Sequence, residues 1–274
     1  MTASQVTRRL ALRSAAAAGA VAATAPGGAM FRTVRAQSAR KTFVLVHGAF
    51  CGSWVWRRVA DKLEQSGHKV FIPTLTGLGE RSHLLTKDVD LDTHIQDVIN
   101  LFKWESLESV CLVVHSYAGF VGSAALERIG NRVSSIVWLD AFVPSNGQKV
   151  LDFANEAFRN LAQAAIDKGE AGFAPPSKIP VIFVAERDQS FVEAKLTPQP
   201  IGTYLQPIKL AGALKKVAKK TYVRMPKFPQ PAFDKALTDC KNDKSWAAFL
   251  MSDVGHMAML DAPDDVSELI LQVA

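Results

Sequence analysis

The stretch that decides the fold is LVVHSYAG, residues 112–119, which joins a strand-like apolar run to a segment with helical spacing. A serine on a sharp turn between a strand and a helix projects its hydroxyl above the carboxyl edge of a sheet. The usual pattern of such a nucleophile elbow is G-x-S-x-G. Val114 and Ala118 occupy the two glycine positions here, so the strict pattern is not met. The junction still favours Ser116 as a nucleophile, with a purely structural serine as the alternative.

Strand-like and helix-like segments alternate on both sides of this turn. Apolar runs rich in branched and aromatic residues predict strands at residues 41–46, 68–72, 110–114, 133–139, 221–224 and 247–251. Helical spacing predicts helices at residues 53–65, 92–104, 119–129, 233–241 and from 263 onward. The alternation indicates a parallel sheet with helices on both faces. Residues 145–215 break the rhythm, and we interpret this cap segment as an insertion.

Two loops at the same predicted sheet edge supply further polar groups. The sequence HGAF follows the first predicted strand, and DVGHM follows the last. His256, in the second of these loops, is predicted to act as the general base that takes the proton of Ser116. The backbone amides of Ala49 and Tyr117 are predicted to form an oxyanion hole, with a plain strand-ending turn as the alternative for the first loop.

The acid that would orient His256 has several candidates. Asp140 ends the predicted strand that follows the nucleophile strand, where a carboxylate can face the imidazole from the neighbouring position. Glu186 and Asp188 follow a further strand-like run, and Asp234 is the first carboxylate after the strand before the last one. We expect Asp140 to be the acid, with a turn-capping role as its alternative.

The first 36 residues predict an export signal. A twin-arginine pattern at residues 7–12, an alanine-rich stretch and the sequence VRA before Gln37 match a signal peptide and its cleavage site. This segment holds five arginines and no acidic residue, so it accounts for most of the net charge of +6. The sequence therefore predicts a periplasmic or secreted protein without a nucleic-acid-binding face or a stable membrane anchor. A retained amphipathic helix and an uncleaved tether are the alternatives.

The cysteines do not indicate a metal site. The chain has Cys51, Cys111 and Cys240, without a C-x-x-C pattern or a Cys/His ligand spacing. We expect neither a metal nor an organic cofactor. A disulfide between Cys51 and Cys240 stays open, as does the oligomeric state.

Six motifs carry a resemblance to a known family, in order along the chain HGAFCGSW, TLTGLGERSHL, VVHSYAG, LDAFVP, LTPQP and GHMAML. From about Thr42 to the C-terminus the sequence resembles α/β-hydrolases of the plant methylesterase and hydroxynitrile lyase group, and more closely the bacterial relatives of that group. The resemblance implies an α/β-hydrolase fold, a domain over residues 41–274 with a small cap, and esterase activity. In this family the acid usually follows the strand before the last one. In the bacterial relatives that acid is absent and the aspartate of LDAFVP is present, which supports Asp140.

The motifs and the resemblance together give the expected reaction and the rival functions. We expect a serine hydrolase that cleaves small, largely apolar carboxylic esters through an acyl-enzyme. Trp54 and Phe142 are candidates to line the substrate pocket, with core packing as the equal alternative for both. In the resembling lyases a hydroxyl residue occupies the position of Gly48 and a lysine that of Met257, and this sequence has neither. A ligand-binding protein without catalytic activity is the other alternative.

Overall fold

The computed structural model describes residues 39–175, 180 and 182–274. The predicted signal peptide, residues 1–36, lies outside the described residues. Residues Arg40–Ala274 form one structural unit. Among the described residues, no helix combines the length and the apolar character that crossing a bilayer requires.

In the described part of the chain, eight strands form two sheets. They are β1 (Thr42–Val46), β2 (Lys69–Phe71), β3 (Val110–His115), β4 (Val133–Leu139), β5 (Gly172–Phe173), β6 (Gln199–Pro200), β7 (Lys219–Arg224) and β8 (Trp246–Leu250). Six of them pair in the order β2-β1-β3-β4-β7-β8, and every pairing between them is parallel. The six strands predicted from the sequence are these six, which confirms the parallel sheet.

Helices cover both faces of this sheet. They are α1 (Arg57–Gln65), α2 (Leu91–Trp104), α3 (Ala118–Ile129), α4 (Glu156–Asp167), α5 (Glu186–Glu193), α6 (Gly202–Leu205), α7 (Pro231–Asn242), α8 (Ala258–Asp261) and α9 (Pro263–Val273). Short 3-10 turns cover Ser53–Trp56, Gly79–Leu84, Gly130–Arg132, Val150–Phe153 and Ala213–Lys216. The predicted helix over residues 53–65 therefore begins as a 3-10 turn and continues as α1.

Alternate residues of each strand feed two separate hydrophobic clusters. In β1, Val44 and Val46 pack with α2 and α3 on one face, whereas Phe43 and Leu45 pack with α1 and α9 on the other. Successive side chains of a strand point to opposite faces, so a strand covered on both faces must be apolar throughout. This explains why the predicted strands are continuous apolar runs.

The strand order creates a crevice above the carboxyl ends of β1 and β3. These two strands are neighbours, but the chain leaves β1 for β2 on one side and later continues from β3 to β4 on the other. The loops that follow β1 and β3 therefore diverge, and ligands of open parallel sheets bind at such a switch point. The sequence places HGAF and Ser116 directly after these two strands.

The described residues of the cap segment contribute no strand to the six-stranded sheet. Between β4 and β7 the chain forms α4, α5, α6 and the antiparallel pair of β5 and β6, in which Phe173 lies opposite Gln199. Residues 182–184, which the sequence suggested as part of a strand, form a turn before α5. Glu186 and Asp188 therefore lie on a cap helix and not at the tip of a sheet strand.

Candidate active site

Ser116 occupies a left-handed turn between β3 and α3. Its φ is 54°, a conformation that non-glycine residues adopt rarely and mostly where the surroundings enforce it. Its carbonyl oxygen accepts hydrogen bonds from the amides of Gly119 at 3.1 Å and Phe142 at 3.2 Å. Ser116 is partly exposed, whereas the residues on either side of it are buried. The backbone thus presents the serine side chain at the surface of the crevice, as an elbow requires.

Two glycines on α3 compensate for the missing glycines of the elbow. A Cβ on Gly119 would lie 1.9 Å from the carbonyl oxygen of Phe142, and a Cβ on Gly122 would lie 2.5 Å from Cγ1 of Val114. Both distances are far below van der Waals contact, so these positions require glycine. β3 and α3 therefore approach each other closely even with Val114 in the strand, because Gly122, the helix residue opposite Val114, has no side chain.

His256 and Asp140 form the predicted pair. The Nδ1 atom of His256 lies 2.7 Å from Oδ2 of Asp140, and both side chains are buried. Oδ1 of the same carboxylate accepts hydrogen bonds from the Arg224 guanidinium at 2.8 Å and from the Met225 amide at 3.0 Å. Three donors therefore fix the carboxylate. Since Nδ1 of His256 is bonded to Asp140, its Nε2 is the nitrogen left for a reacting group.

The three rival carboxylates lie elsewhere. Asp188 forms a two-pronged ion pair with Arg58 at 2.7 and 2.8 Å, and this guanidinium lowers the pKa of Asp188 below its ordinary value. Glu186 is exposed on α5. Asp234 accepts from Nε of Arg224 at 2.8 Å on the side away from Asp140, with its side chain 61% exposed. Within the described part of the chain, none of these three carboxylates contacts His256.

Aromatic rings enclose the imidazole of His256. Phe228 stacks on it with ring centroids 4.3 Å apart, and His115 lies 4.5 Å away on a tilted plane. His115 donates from Nε2 to the carbonyl of His256 at 3.0 Å, and burial lowers its pKa well below the ordinary value. His115 is therefore neutral at pH 7, and it supports the loop of His256 without adding a competing charge.

A second buried histidine fixes the loop after β1. Nε2 of His47 accepts from the amide of Leu75 at 3.0 Å, so Nδ1 carries the proton and donates to the carbonyl of Gly48 at 2.8 Å. Burial lowers the pKa of His47 to about 4, which keeps this tautomer neutral at pH 7. The amides of Ala49 and Tyr117 have no hydrogen-bond acceptor within the described part of the chain. Both remain free to bind an oxyanion.

These groups meet at a cavity of about 280 Å³. Ser116, His256, Ala49 and Phe142 belong to its wall, and none of the described residues that line it is Lys, Arg, Asp or Glu. The rest of the wall is mostly aromatic and aliphatic, including Phe50, Phe153, Phe158, Phe183, Phe228, Phe233, Leu196 and Met257. The cavity therefore suits a small and largely apolar molecule.

The structure does not bring Trp54 to this cavity. Its indole packs edge-to-face on Phe191 at 5.5 Å, so only Phe142 of the two predicted lining residues is in place. Sequence reasoning also missed Arg224 and the aromatic residues 183, 228 and 233 around His256. The position of Arg224 at the end of a strand that neighbours β4 was the available signal for its contact with Asp140.

Among the described residues the structure has neither a disulfide nor a cluster of metal ligands. Cys51, Cys111 and Cys240 are free and buried, and Cys51 and Cys240 belong to different hydrophobic clusters. Burial raises the pKa of Cys51, which lines the cavity, to about 12. Within the described ranges no three or more His, Cys, Asp or Glu side chains are grouped as metal ligands.

Comparison with known proteins identifies the family and the fold. The sequence model of the alpha/beta hydrolase family matches residues 43–269. The chain is 33% identical to a carbendazim hydrolyzing esterase of a Nocardioides species, over 82% of this chain and 96% of that protein. It is 28% identical to methylesterase 10 of Arabidopsis thaliana, over 85% and 91%. Among solved structures, an extracellular alpha/beta-hydrolase from a Paenibacillus species has a TM-score of 0.74 at 23% identity, over 85% and 99%.

Proposed function

The chain belongs to the alpha/beta hydrolase family, and on that premise we propose that it is a serine esterase with Ser116, His256 and Asp140 as its catalytic triad. The observation that carries the proposal is the cavity itself. It exposes a serine on a left-handed elbow and a histidine bonded to a buried carboxylate, in one apolar crevice. The esterase names of its similar proteins point to the same chemistry.

The proposed reaction proceeds through an acyl-enzyme. Nε2 of His256 takes the proton of Ser116 as the serine oxygen attacks the ester carbonyl carbon. The negative charge that develops on the carbonyl oxygen is stabilised by the amides of Ala49 and Tyr117. When the carbon–oxygen ester bond breaks, the imidazolium returns its proton to the departing alcohol. Water, deprotonated by the same imidazole, then releases the carboxylic acid and restores the free serine.

Asp140 stabilises the imidazolium that forms during each step. Its Oδ2 fixes the proton on Nδ1 of His256, so that Nε2 is a base and not a donor. Arg224 and the Met225 amide occupy the other oxygen, which keeps the carboxylate from rotating away. The buried carboxylate is thus paired and hydrogen-bonded, as a charge in the protein interior must be.

The cavity defines the proposed substrate class. A volume of about 280 Å³ and a wall whose described residues include no Lys, Arg, Asp or Glu favour a small neutral ester. A charged acid or alcohol would lose its hydration in this cavity without gaining a partner. The methylesterase name of one relative makes esters of small alcohols the first to test.

The two rival functions lose support from the geometry. A hydroxyl residue in place of Gly48, as in the resembling lyases, would put its Cβ 2.9 Å from Nδ1 of His115 and 3.0 Å from Cβ of Ser116. The loop would have to shift to accept it. A protein that only binds ligands has no need of a strained serine or of a buried Asp–His pair.

Covalent labelling with a fluorophosphonate probe tests the proposal. We expect labelling of the wild type at Ser116, and hydrolysis within a panel of neutral acyl and alkyl esters. Ser116→Ala should abolish both, whereas the matched control Ser190→Ala, on the exposed side of α5, should change neither. A wild type that neither labels nor hydrolyses any ester would favour the ligand-binding alternative. A labelled Ser116→Ala variant would remove Ser116 as the nucleophile.

A further inference from the structure

We propose that Gln199, in the cap segment, is a positioning residue that holds the loop carrying the oxyanion donor Ala49. The inference rests on the proposed esterase function and adds a role for LTPQP, residues 196–200, to which the mechanism assigns none. Gln199 is fully buried, and its side-chain oxygen accepts from the backbone amide of Phe50 at 2.9 Å. A side chain of the cap segment thus bonds the residue that directly follows the proposed oxyanion donor.

Phe50 requires such support because its backbone is strained. Its φ is 63°, in the left-handed region of backbone conformation that residues with a Cβ adopt only at an energetic cost. Both of its backbone polar groups bond to the same short stretch of the cap segment, since the amide of Thr197 donates to the Phe50 carbonyl at 2.9 Å. Its ring packs edge-to-face on Phe173 at 5.3 Å, and Phe173 pairs with Gln199 between β5 and β6. The cap segment therefore holds this conformation from three sides.

The hydrogen-bond network also fixes which end of the Gln199 amide faces Phe50. The hydroxyl of Thr203 lies 2.6 Å from the carbonyl of Pro200 and donates its proton there. That hydroxyl can then only accept from Gln199, whose Nε2 lies 2.8 Å away. The amide nitrogen thus faces Thr203 and the oxygen faces Phe50, without freedom to flip.

Ala49 is consequently held on both sides. The peptide before it is fixed through the carbonyl of Gly48, which accepts from His47. The peptide after it is fixed through the amide of Phe50, which donates to Gln199. With both peptide planes fixed, the Ala49 amide has one direction, and it has no acceptor among the described residues. Oxyanion stabilisation depends on donors that are already oriented before the reaction.

Loss of the Gln199 oxygen would leave a buried amide without a partner and release one of the two peptide planes. A displacement of about 1 Å at a catalytic group costs about 10²-fold in rate. We therefore expect Gln199→Met to lower kcat by about 10- to 100-fold while KM changes by less than about threefold. The affinity for a trifluoromethyl ketone, which forms a tetrahedral adduct with the serine, should fall in proportion to kcat/KM.

The matched control is Gln206→Met. The Gln206 side chain also accepts from a backbone amide, that of Asp92 at 3.1 Å, but Asp92 lies on α2 and not in the loop of Ala49, so kcat should stay at the wild-type value. Gln199→Glu should recover much of the activity at mildly acidic pH. A protonated carboxyl group can accept from Phe50 and donate to Thr203 in the same geometry. Rates are normalised to the serine that a fluorophosphonate titrates, so that loss of folded protein does not count as loss of catalysis.

The outcomes separate this inference from the proposed function. An active wild type with Gln199→Met at the wild-type kcat per titrated serine overturns the inference alone, whatever the change in melting temperature. If Gln199→Met does not fold, Thr203→Val replaces it, because it removes the partner that orients the amide. A Thr203→Val kcat equal to wild type then overturns the inference. A wild type without labelling or hydrolysis overturns both.

Discussion

Replacement of Asp140 by Asn tests the proposed triad most directly, because the structure fixes how the new side chain must sit. Two donors, the Arg224 guanidinium and the Met225 amide, approach Oδ1 of Asp140. An asparagine in this place must turn its oxygen toward both donors, since its amide nitrogen cannot accept from either. The nitrogen then faces Nδ1 of His256 as a donor. His256 has to accept there, which moves its own proton to Nε2, the position that should take the proton of Ser116.

The expected loss of catalytic rate follows from this tautomer of His256. A histidine protonated at Nε2 cannot act as a base toward Ser116 without first losing the bond to residue 140. By analogy with the Ser-His-Asp template the loss in kcat is on the order of 10⁴, which corresponds to about 5.5 kcal/mol of barrier. The fold should survive, since Arg224 keeps its bonds to Asp234 and to the carbonyls of Met225 and Phe228.

Two measurements check the prediction. The first is kcat on the best ester of the panel for the wild type, for Asp140→Asn and for the control Asp234→Asn. Asp234 bonds the same arginine but is 61% exposed, so we expect a rate within about threefold of wild type, because exposed ion pairs contribute little. The second is the nitrogen-15 NMR spectrum of His256, which distinguishes the two tautomers. An Asp140→Asn variant within tenfold of wild type, or one whose proton remains on Nδ1, would refute the reasoning.

Three further predictions concern stability and processing. Burial lowers the pKa of His47 and His94 from 6.5 to about 4 in the folded protein. The unfolded chain therefore binds more protons than the folded protein between pH 6.5 and pH 4. The free energy of unfolding should have its full value above pH 6.5 and fall by ~3 kcal/mol for each histidine as the pH drops to 4. A melting temperature that is constant from pH 7 to 4.5 would contradict this. Gly122→Ala should destabilise the protein by about 1–3 kcal/mol through its contact with Val114, and Val114→Ala in the same chain should restore part of the loss in chemical denaturation. Exported protein should begin at Gln37 by intact-mass analysis, and a mature form that keeps the initiator methionine would exclude the proposed cleavage.

The sheet could be predicted from the sequence because its signals are local. A strand buried on both faces is a continuous apolar run, so β3 and β4 were bounded to within one residue. The elbow was also predictable, since a strand, a serine and a helix follow one another within ten residues. Parallel strands bring their carboxyl ends to one edge, which is why the pairing of Asp140 with His256 could be predicted across 116 residues.

The compensations at the site could not be predicted in the same way. Gly122 accommodates Val114 because α3 approaches β3 closely. The distance between helix and strand cannot be read from the two residue types. The contact between Gln199 and Phe50 joins positions 149 residues apart through a single amide. The role of Trp54 stayed open for the same reason. Its apolar character is equally suited to a pocket and to packing on Phe191, and only the position of the cap segment decides between them.

In the proposed triad the acid stands at the tip of β4, one strand away from its usual position at the tip of β7. β4 and β7 are parallel neighbours with Leu139 opposite Val223, so Asp140 and Arg224 are the next residues in the same register. Adjacent strands lie only about 4.8 Å apart. The loop that carries His256 can span this additional distance. An acid at the end of β4 therefore reaches the histidine from one strand further away than the usual position at the end of β7. The arginine that stands at the usual position bonds the oxygen of Asp140 that the histidine leaves unused. The absence of an acid at the tip of β7 is thus coupled to the presence of one at the tip of β4. Arg224 at the tip of β7 holds the carboxylate of Asp140 at the tip of β4.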